Sequence, residues 1–241
     1  MKQHLCRLTE SRALWSEAQL LTFDAPDLAR AICPGQFALV HDPAIFDPYL
    51  RRVAWLYAMD DSRVSFVMSA RDSTIARGGG TLDLLAPLGR ALRFDDHARR
   101  IVFIGEGARI VQLIALAQDA VAQGRQVVLV HRAEDVFPAH LLSPEIEYRT
   151  AADALDADLF AWADAVVASG SDESYHALAD AIRAARYRLE PGFARAFVDV
   201  AMPCGTGVCY ACAVETARGV RLGCVDGPAF DLTALENRRT R

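Results

Sequence analysis

The chain of 241 residues contains no apolar run of 18 residues, so no transmembrane helix is expected. It has little excess charge. The formal net charge of −5 argues against a broad basic surface for nucleic acid. Its first residues, MKQHLCRLTESRALWSE, are charged throughout and lack the apolar core of a secretory signal, so a cytoplasmic location is expected. The six histidines have no metal-ligand spacing, and no G-x-S-x-G nucleophile motif occurs. Internal repeats and low-complexity stretches are also missing. These absences leave a globular protein with 52% hydrophobic residues, long enough for two or three small domains.

Cysteine is the residue whose placement stands out. Four of the six lie in one stretch, MPCGTGVCYACAVETARGVRLGCVDGPAF, at 204, 209, 212 and 224. The spacing is C-x4-C-x2-C-x11-C, and its first intervals are the plant-type [2Fe–2S] pattern. Cys204, Cys209 and Cys212 can wrap one side of a small cluster. Gly205 and Gly207 allow a tight curl that exposes backbone N–H groups to sulfur. Two short strands, 213–216 and 220–223, form a hairpin that returns Cys224 to the open side. Zinc is the alternative, although structural zinc sites favour two close C-x2-C pairs. Disulfides would require an oxidising compartment. Cys6 and Cys33 read as small buried hydrophobes.

The pattern before the cysteines divides in two. Residues 1–96 are predicted as an antiparallel β-barrel. Its short strands fall at 18–24, 37–40, 51–59, 63–69 and 81–85, with turns at Pro34-Gly35, Asp60-Asp61-Ser62 and Gly78-Gly79-Gly80 and a short helix at 26–32. Residues 97–192 alternate strand and helix, which predicts a parallel α/β domain. Strands are expected at 100–104, 126–131 and 145–149. Helices are expected at 109–123 and at 172–186, the second capped by Asp172. Residues 193–241 complete the chain as a small [2Fe–2S] segment, entered by a strand over 193–201.

Ligands of a parallel α/β sheet sit beyond the carboxyl ends of its strands. Gly105 and Gly107 occupy such a turn, but Ile110 stands where G-x-G-x-x-G has its third glycine, and Arg109 adds bulk. Ser169 and Gly170, followed by Ser171, mark a second strand end on the same rim, where hydroxyls either face a ligand or cap the next helix. Arg51 and Arg52 match phosphate geometry or form salt bridges. Ser73 and Thr74 offer short hydroxyls in a turn. Trp15, Trp55 and Trp162 read as packing residues.

The whole pattern resembles the electron-transfer subunit of the NAD-linked, heterotetrameric dihydroorotate dehydrogenase, a branch of the ferredoxin-reductase-like flavoproteins. Cys204-Gly205-Thr206-Gly207-Val208-Cys209, Cys212, Cys224 and then Asp226-Gly227-Pro228-Ala229-Phe230 carry the resemblance most strongly. LDLLAPLG at 82–89 and Tyr49-Leu50-Arg51-Arg52 resemble further family motifs. The resemblance implies an FAD-type barrel, an NAD-type α/β domain and a cluster that passes electrons between FAD and the FMN of a separate catalytic subunit in a hetero-oligomer. It also implies a place in pyrimidine biosynthesis. Arg52, with Ser73 or Thr74, is then expected to contact FAD. Gly105, Gly107, Ser169 and Gly170 are the expected nucleotide rim. The departures cluster in the nucleotide motifs. Val53-Ala54-Trp55 replaces P-I-S after Arg52, and Glu106 brings a negative charge to the pyrophosphate turn. The rival expectation is a diverged paralogue that keeps the cluster, has lost FAD or NAD, and relays electrons for another oxidoreductase.

Overall fold

The computed structural model describes residues 1–15, 18–45, 49–69, 80–150 and 155–235. Ser73 and Thr74, and most of the glycine turn at 78–80, lie outside the described residues. The chain forms two compact units. One holds Met1–Leu92, Val200–Cys212 and Leu222–Pro228. The other holds Arg93–Asp199, Ala213–Arg221 and Ala229–Arg241. The cysteine loop is therefore grouped with the N-terminal strands, and residues 193–241 do not stand apart as a segment of their own.

The first unit is a closed antiparallel barrel. Its strands are β1 (Lys2–Trp15), β2 (Ala18–Asp24), β3 (Phe37–His41), β4 (Arg52–Met59), β5 (Arg63–Ser69) and β6 (Gly80–Leu88), with the short helix α1 (Pro26–Ala29) after β2. The spatial order is β1-β2-β5-β4-β3-β6, closed by the pairing of β1 with β6. Closure leaves no strand edge open to another chain. Inward-facing Leu21, Phe23, Phe37, Leu39 and Phe66 are fully buried, as the alternation of the strands demands. Asp60 closes the β4–β5 turn by accepting from the backbone N–H groups of Ser62 and Arg63 at 2.9 and 2.7 Å. Strand β1 has no counterpart among the sequence-based expectations. Of its residues only Cys6 and Leu14 are buried, so it carries almost no apolar alternation.

The second unit is a six-stranded sheet in the order β14-β11-β10-β7-β8-β9. Its parallel strands are β7 (Arg100–Glu106), β8 (Gln126–Arg132), β9 (Ile146–Thr150), β10 (Ala165–Ser169) and β11 (Ala194–Phe197). The helices are α2 (Val111–Ala122), α3 (Ala157–Trp162) and α4 (Asp172–Arg186). A 3-10 turn over Gly107–Ile110 joins β7 to α2. The hairpin of β12 (Ala213–Thr216) and β13 (Gly219–Leu222) and the pair β14 (Ala229–Asp231) and α5 (Leu232–Leu235) follow. β14 runs antiparallel to β11.

Residues 160–168 are mostly apolar, and Asp164 lies between the end of α3 and the start of β10. The Asp164 carboxylate accepts from the backbone N–H groups of Arg99 and Arg100 at 3.0 and 2.9 Å and pairs with the Arg100 guanidinium at 2.7 Å. Helix α4 has the expected span but a different cap. Ser171, not Asp172, is the N-cap, its hydroxyl accepting from the Ser174 N–H. Asp172 and Glu173 in the first turn and Arg183 and Arg186 in the last complement the helix dipole.

Tyr175 ties α4 to two strand ends. Its buried hydroxyl accepts from the Gly170 N–H at 2.8 Å and donates to the Phe197 carbonyl. Burial raises its pKa, keeping the phenol protonated for this role. Tyr175→Phe removes both of these bonds and is predicted to lower the unfolding free energy by about 1–3 kcal/mol in urea titration. An unchanged midpoint would contradict the assignment.

Candidate iron–sulfur centre

The cysteine loop is seated on the barrel through glycines. Gly205 has φ +66 and Gly207 φ +82, left-handed backbone that other residues adopt only at a cost. A Cβ on Gly205 would stand 2.8 Å from Leu88 Cδ1 and 2.9 Å from Leu39 Cδ1. The loop backbone therefore lies directly on two barrel residues. Beneath it Cys212 and Cys224, exposed by 0% and 2%, join a core with Phe37, Leu39, Leu88 and Met202. Val53, Trp55, Leu85, Val200 and Leu222 pack around that core.

The return segment is held as firmly. Gly89 N–H donates to the Cys224 carbonyl at 3.2 Å, and Arg90 N–H to the Gly227 carbonyl at 2.6 Å. A Cβ on Gly89 would meet Pro228 Cδ at 2.7 Å. Asp226 Oδ2 accepts from the Leu222 N–H at 2.9 Å while its own N–H donates to the Leu222 carbonyl at 2.7 Å. Gly223 N–H closes on the Cys212 carbonyl at 2.9 Å. The motif at the end of β6 and the D-G-P motif after Cys224, separate in the sequence, are thus two halves of one contact. Sequence reasoning missed the part played by Asp226 and Gly89, which only that contact reveals.

The four thiols stand as two pairs. Cys204 and Cys209 sulfurs are 3.2 Å apart, and Cys212 and Cys224 sulfurs 3.3 Å apart. A disulfide would need about 2.0 Å, and all four cysteines are free. Among the described residues no three Cys, His, Asp or Glu side chains gather around one metal-ion position. A single tetrahedral zinc, with bonds of about 2.3 Å, would bring all four sulfurs together.

The two pairs differ electrostatically. Burial pushes the Cys204 thiol up, but hydrogen bonds from the Thr206 and Cys209 backbone outweigh it, and its pKa falls to about 6. That favours the thiolate, which is the ligating form. Burial, then the neighbouring Cys212 thiol, pushes Cys224 up to about 12. The Gly207 N–H reaches Cys224 from the loop carrying the first pair, partly opposing that rise. Cys209 is exposed and Cys212 buried, so the outer pair faces solvent and the inner pair faces the barrel core.

The other expected site residues are in less open surroundings. Arg52 is half-buried at the start of β4, opposite Val40. Its neighbour Arg51 is committed to the buried Asp83, which also accepts from Gln3 at 2.9 Å. Trp55 packs on Phe37 with ring centroids 5.3 Å apart. On β7, Gly105 is needed because Ile110 lies against it, and a Cβ there would stand 2.8 Å from the Ile110 Cα. The Gly107 carbonyl bonds His131 Nε2 at 3.0 Å. Ser169 is buried and donates to Gln112 at 2.5 Å. Gly170 lies against the Glu106 carboxylate.

A closed barrel followed by a parallel α/β sheet is the ferredoxin-reductase-like fold, and here it carries a four-cysteine loop. Across 96% of this chain and 90% of the other, the fold matches the NADH-dependent reduced ferredoxin-NADP oxidoreductase, with a TM-score of 0.75 and 17% identity. It also matches phthalate dioxygenase reductase, with a TM-score of 0.60 and 15% identity over 89% of this chain and 87% of that one. Residues 200–236 match the iron–sulfur cluster binding domain of dihydroorotate dehydrogenase B. The family that the chain resembles is that of the electron transfer subunits of dihydroorotate dehydrogenase B (NAD(+)). It is 27% identical to the subunit of Bacillus caldolyticus over 82% of this chain and 84% of the relative. It is 24% identical to that of Desulforamulus reducens over 87% and 89%.

Gly205→Ala tests the seat of the loop. The left-handed backbone alone costs about 1–2 kcal/mol, and the clash with Leu39 and Leu88 adds to it. The variant is predicted to unfold earlier in urea and to retain less iron than the unaltered chain. Equal iron content and an unchanged midpoint would contradict the seating.

Proposed function

We propose that the chain is a cytoplasmic electron-transfer protein that holds a [2Fe–2S] cluster on Cys204, Cys209, Cys212 and Cys224. It passes single electrons to or from an FMN-containing dehydrogenase subunit with which it forms a hetero-oligomer. The observation that carries the reading is the division of the four thiols into two close pairs, which suits two irons with two thiolates each. A bound [2Fe–2S] cluster supplies one-electron chemistry between two-electron flavin and nicotinamide reactions. The remaining work falls to the chain. The Thr206, Gly207 and Cys209 backbone offers hydrogen bonds to sulfur that stabilise added negative charge. The apolar core around Cys212 and Cys224 keeps water from the inner side. The exposed Cys209 edge, beside Val208 and Tyr210 at 77% and 65% exposure, is where a partner's cofactor would approach.

For FAD the residues fit poorly. Arg52 stands on β4 as the flavin motif requires, but the indole of Trp55 takes the place of that motif's small hydroxyl and is packed beside Phe37. That observation favours the cluster-only relay over the flavin-loaded form. Which oxidoreductase the chain serves, dihydroorotate dehydrogenase or a related one, follows from the partner that copurifies with it.

Metal, sulfide and flavin analysis of protein purified without added cofactor tests the proposal. About two irons and two sulfides per chain with flavin well below one are expected. Zinc without sulfide would overturn the cluster, and stoichiometric FAD would restore the flavin-loaded reading.

Substitutions separate the two pairs. Cys209→Ser and Cys212→Ser should both lose most of the cluster. Only Cys212→Ser places a hydroxyl in the buried core, so only it should also destabilise the iron-free chain, by about 1–3 kcal/mol in urea. Equal stability of the two iron-free variants would contradict the burial argument.

A further inference from the structure

The α/β unit has a topological switch point. From β7 the chain runs outward through β8 and β9, then returns to the other side of β7 for β10 and β11. The crevice between the carboxyl ends of β7 and β10 is where an open α/β sheet takes its ligand. Glu106 ends β7, Ser169 ends β10, and Gly170 and Ser171 follow it. We infer that this crevice is closed by the chain's own carboxylate and is not a dinucleotide site.

Glu106 holds the position that a pyrophosphate would need. Its Oε2 accepts from the Ser171 N–H at 3.0 Å, at the start of α4. Its Oε1 accepts from the Ser174 hydroxyl and from Arg132 Nη1, the latter at 3.0 Å. A helix start binds phosphate through free N–H groups and a favourable dipole. At the start of α4 three backbone donors are already engaged. Gly170 N–H goes to the Tyr175 hydroxyl, Ser171 N–H to Glu106, and Ser174 N–H to the Ser171 hydroxyl.

The cations are engaged as well. Arg132 is paired with Glu106, both side chains being mostly buried, and Arg109 is paired with Asp199. Steric closure accompanies the charge. A Cβ on Gly170 would stand 2.6 Å from Glu106 Oε2, so the glycine accommodates the carboxylate and not a ligand. The space between Ile104, Ala168, Tyr175 and Leu178 is narrow and partly open to solvent. On the β7 side, the turn is fixed by the bond between the Gly107 carbonyl and the buried His131.

The consequence is that a nicotinamide-linked partner reaction would take place on another subunit, whether or not the four thiols carry a cluster. Calorimetric titration of the full chain with NADH and with ADP-ribose, with iron content read on the same samples, tests this. The unaltered chain should give no saturable binding up to about 1 mM. Glu106→Ala, checked for native circular dichroism, should bind ADP-ribose at least about tenfold more tightly than the unaltered chain. Glu106→Gln keeps the shape and removes the charge, and it should show a smaller gain; it carries the test if the alanine variant does not fold. Saturable submillimolar binding to the unaltered chain would overturn the inference. So would a folded Glu106 variant that binds no better.

Discussion

The structure depends on the docking of the cysteine loop on the barrel. Gly205 lies on Leu39 and Leu88, and Cys212 and Cys224 are buried with Phe37 and Met202. A short loop of small and polar residues has little apolar surface of its own to bury. Here it borrows the barrel core and a set of backbone hydrogen bonds from Gly89 and Arg90. The thiols inherit the rigidity of β3 and β6, which a ligand set needs if its geometry is to be fixed before any cofactor binds.

The two units have gone different ways. Around the cysteines, backbone N–H groups reach sulfur, and the outer pair stays accessible to solvent. At the strand ends of the α/β unit, three backbone donors and the guanidinium groups of Arg109 and Arg132 are engaged internally by Glu106, Tyr175, Ser171 and Asp199. The second unit keeps its parallel α/β fold, while the polar groups at the switch point serve the stability of the sheet and α4. Fold and function are separable in this way because function resides in the side chains at a few strand ends.

Much of the architecture was legible in the sequence where the signal is local. The strands β2 to β5, the helix α4 and the hairpin β12–β13 follow from alternation, periodicity and turn residues. The cysteine spacing was equally local and pointed to four thiols around one centre, with three on one side; the pairing of Cys212 with Cys224 was not legible in it. What could not be read was long-range. β1 has Arg7, Glu10 and Arg12 on a largely exposed strand, so its pairing with β2 and β6 leaves no apolar pattern. In the sequence Glu106 is only a charge in a glycine turn. Its role emerges when β10 places the start of α4 beside it, 65 residues further along the chain. Gly227 and Pro228 of the D-G-P motif likewise have no local rationale, because their partner Gly89 precedes the whole run of β7 to β11 in the chain.

The central claim is that the two thiol pairs together hold a two-iron centre able to accept one electron. Electron paramagnetic resonance of anaerobically reconstituted protein tests it most directly. Silence in the oxidised sample and a spin-one-half signal after chemical reduction, integrating to about one spin per chain, are the predicted results. A colourless sample with no signal on reduction, after exposure to iron and sulfide, would contradict it.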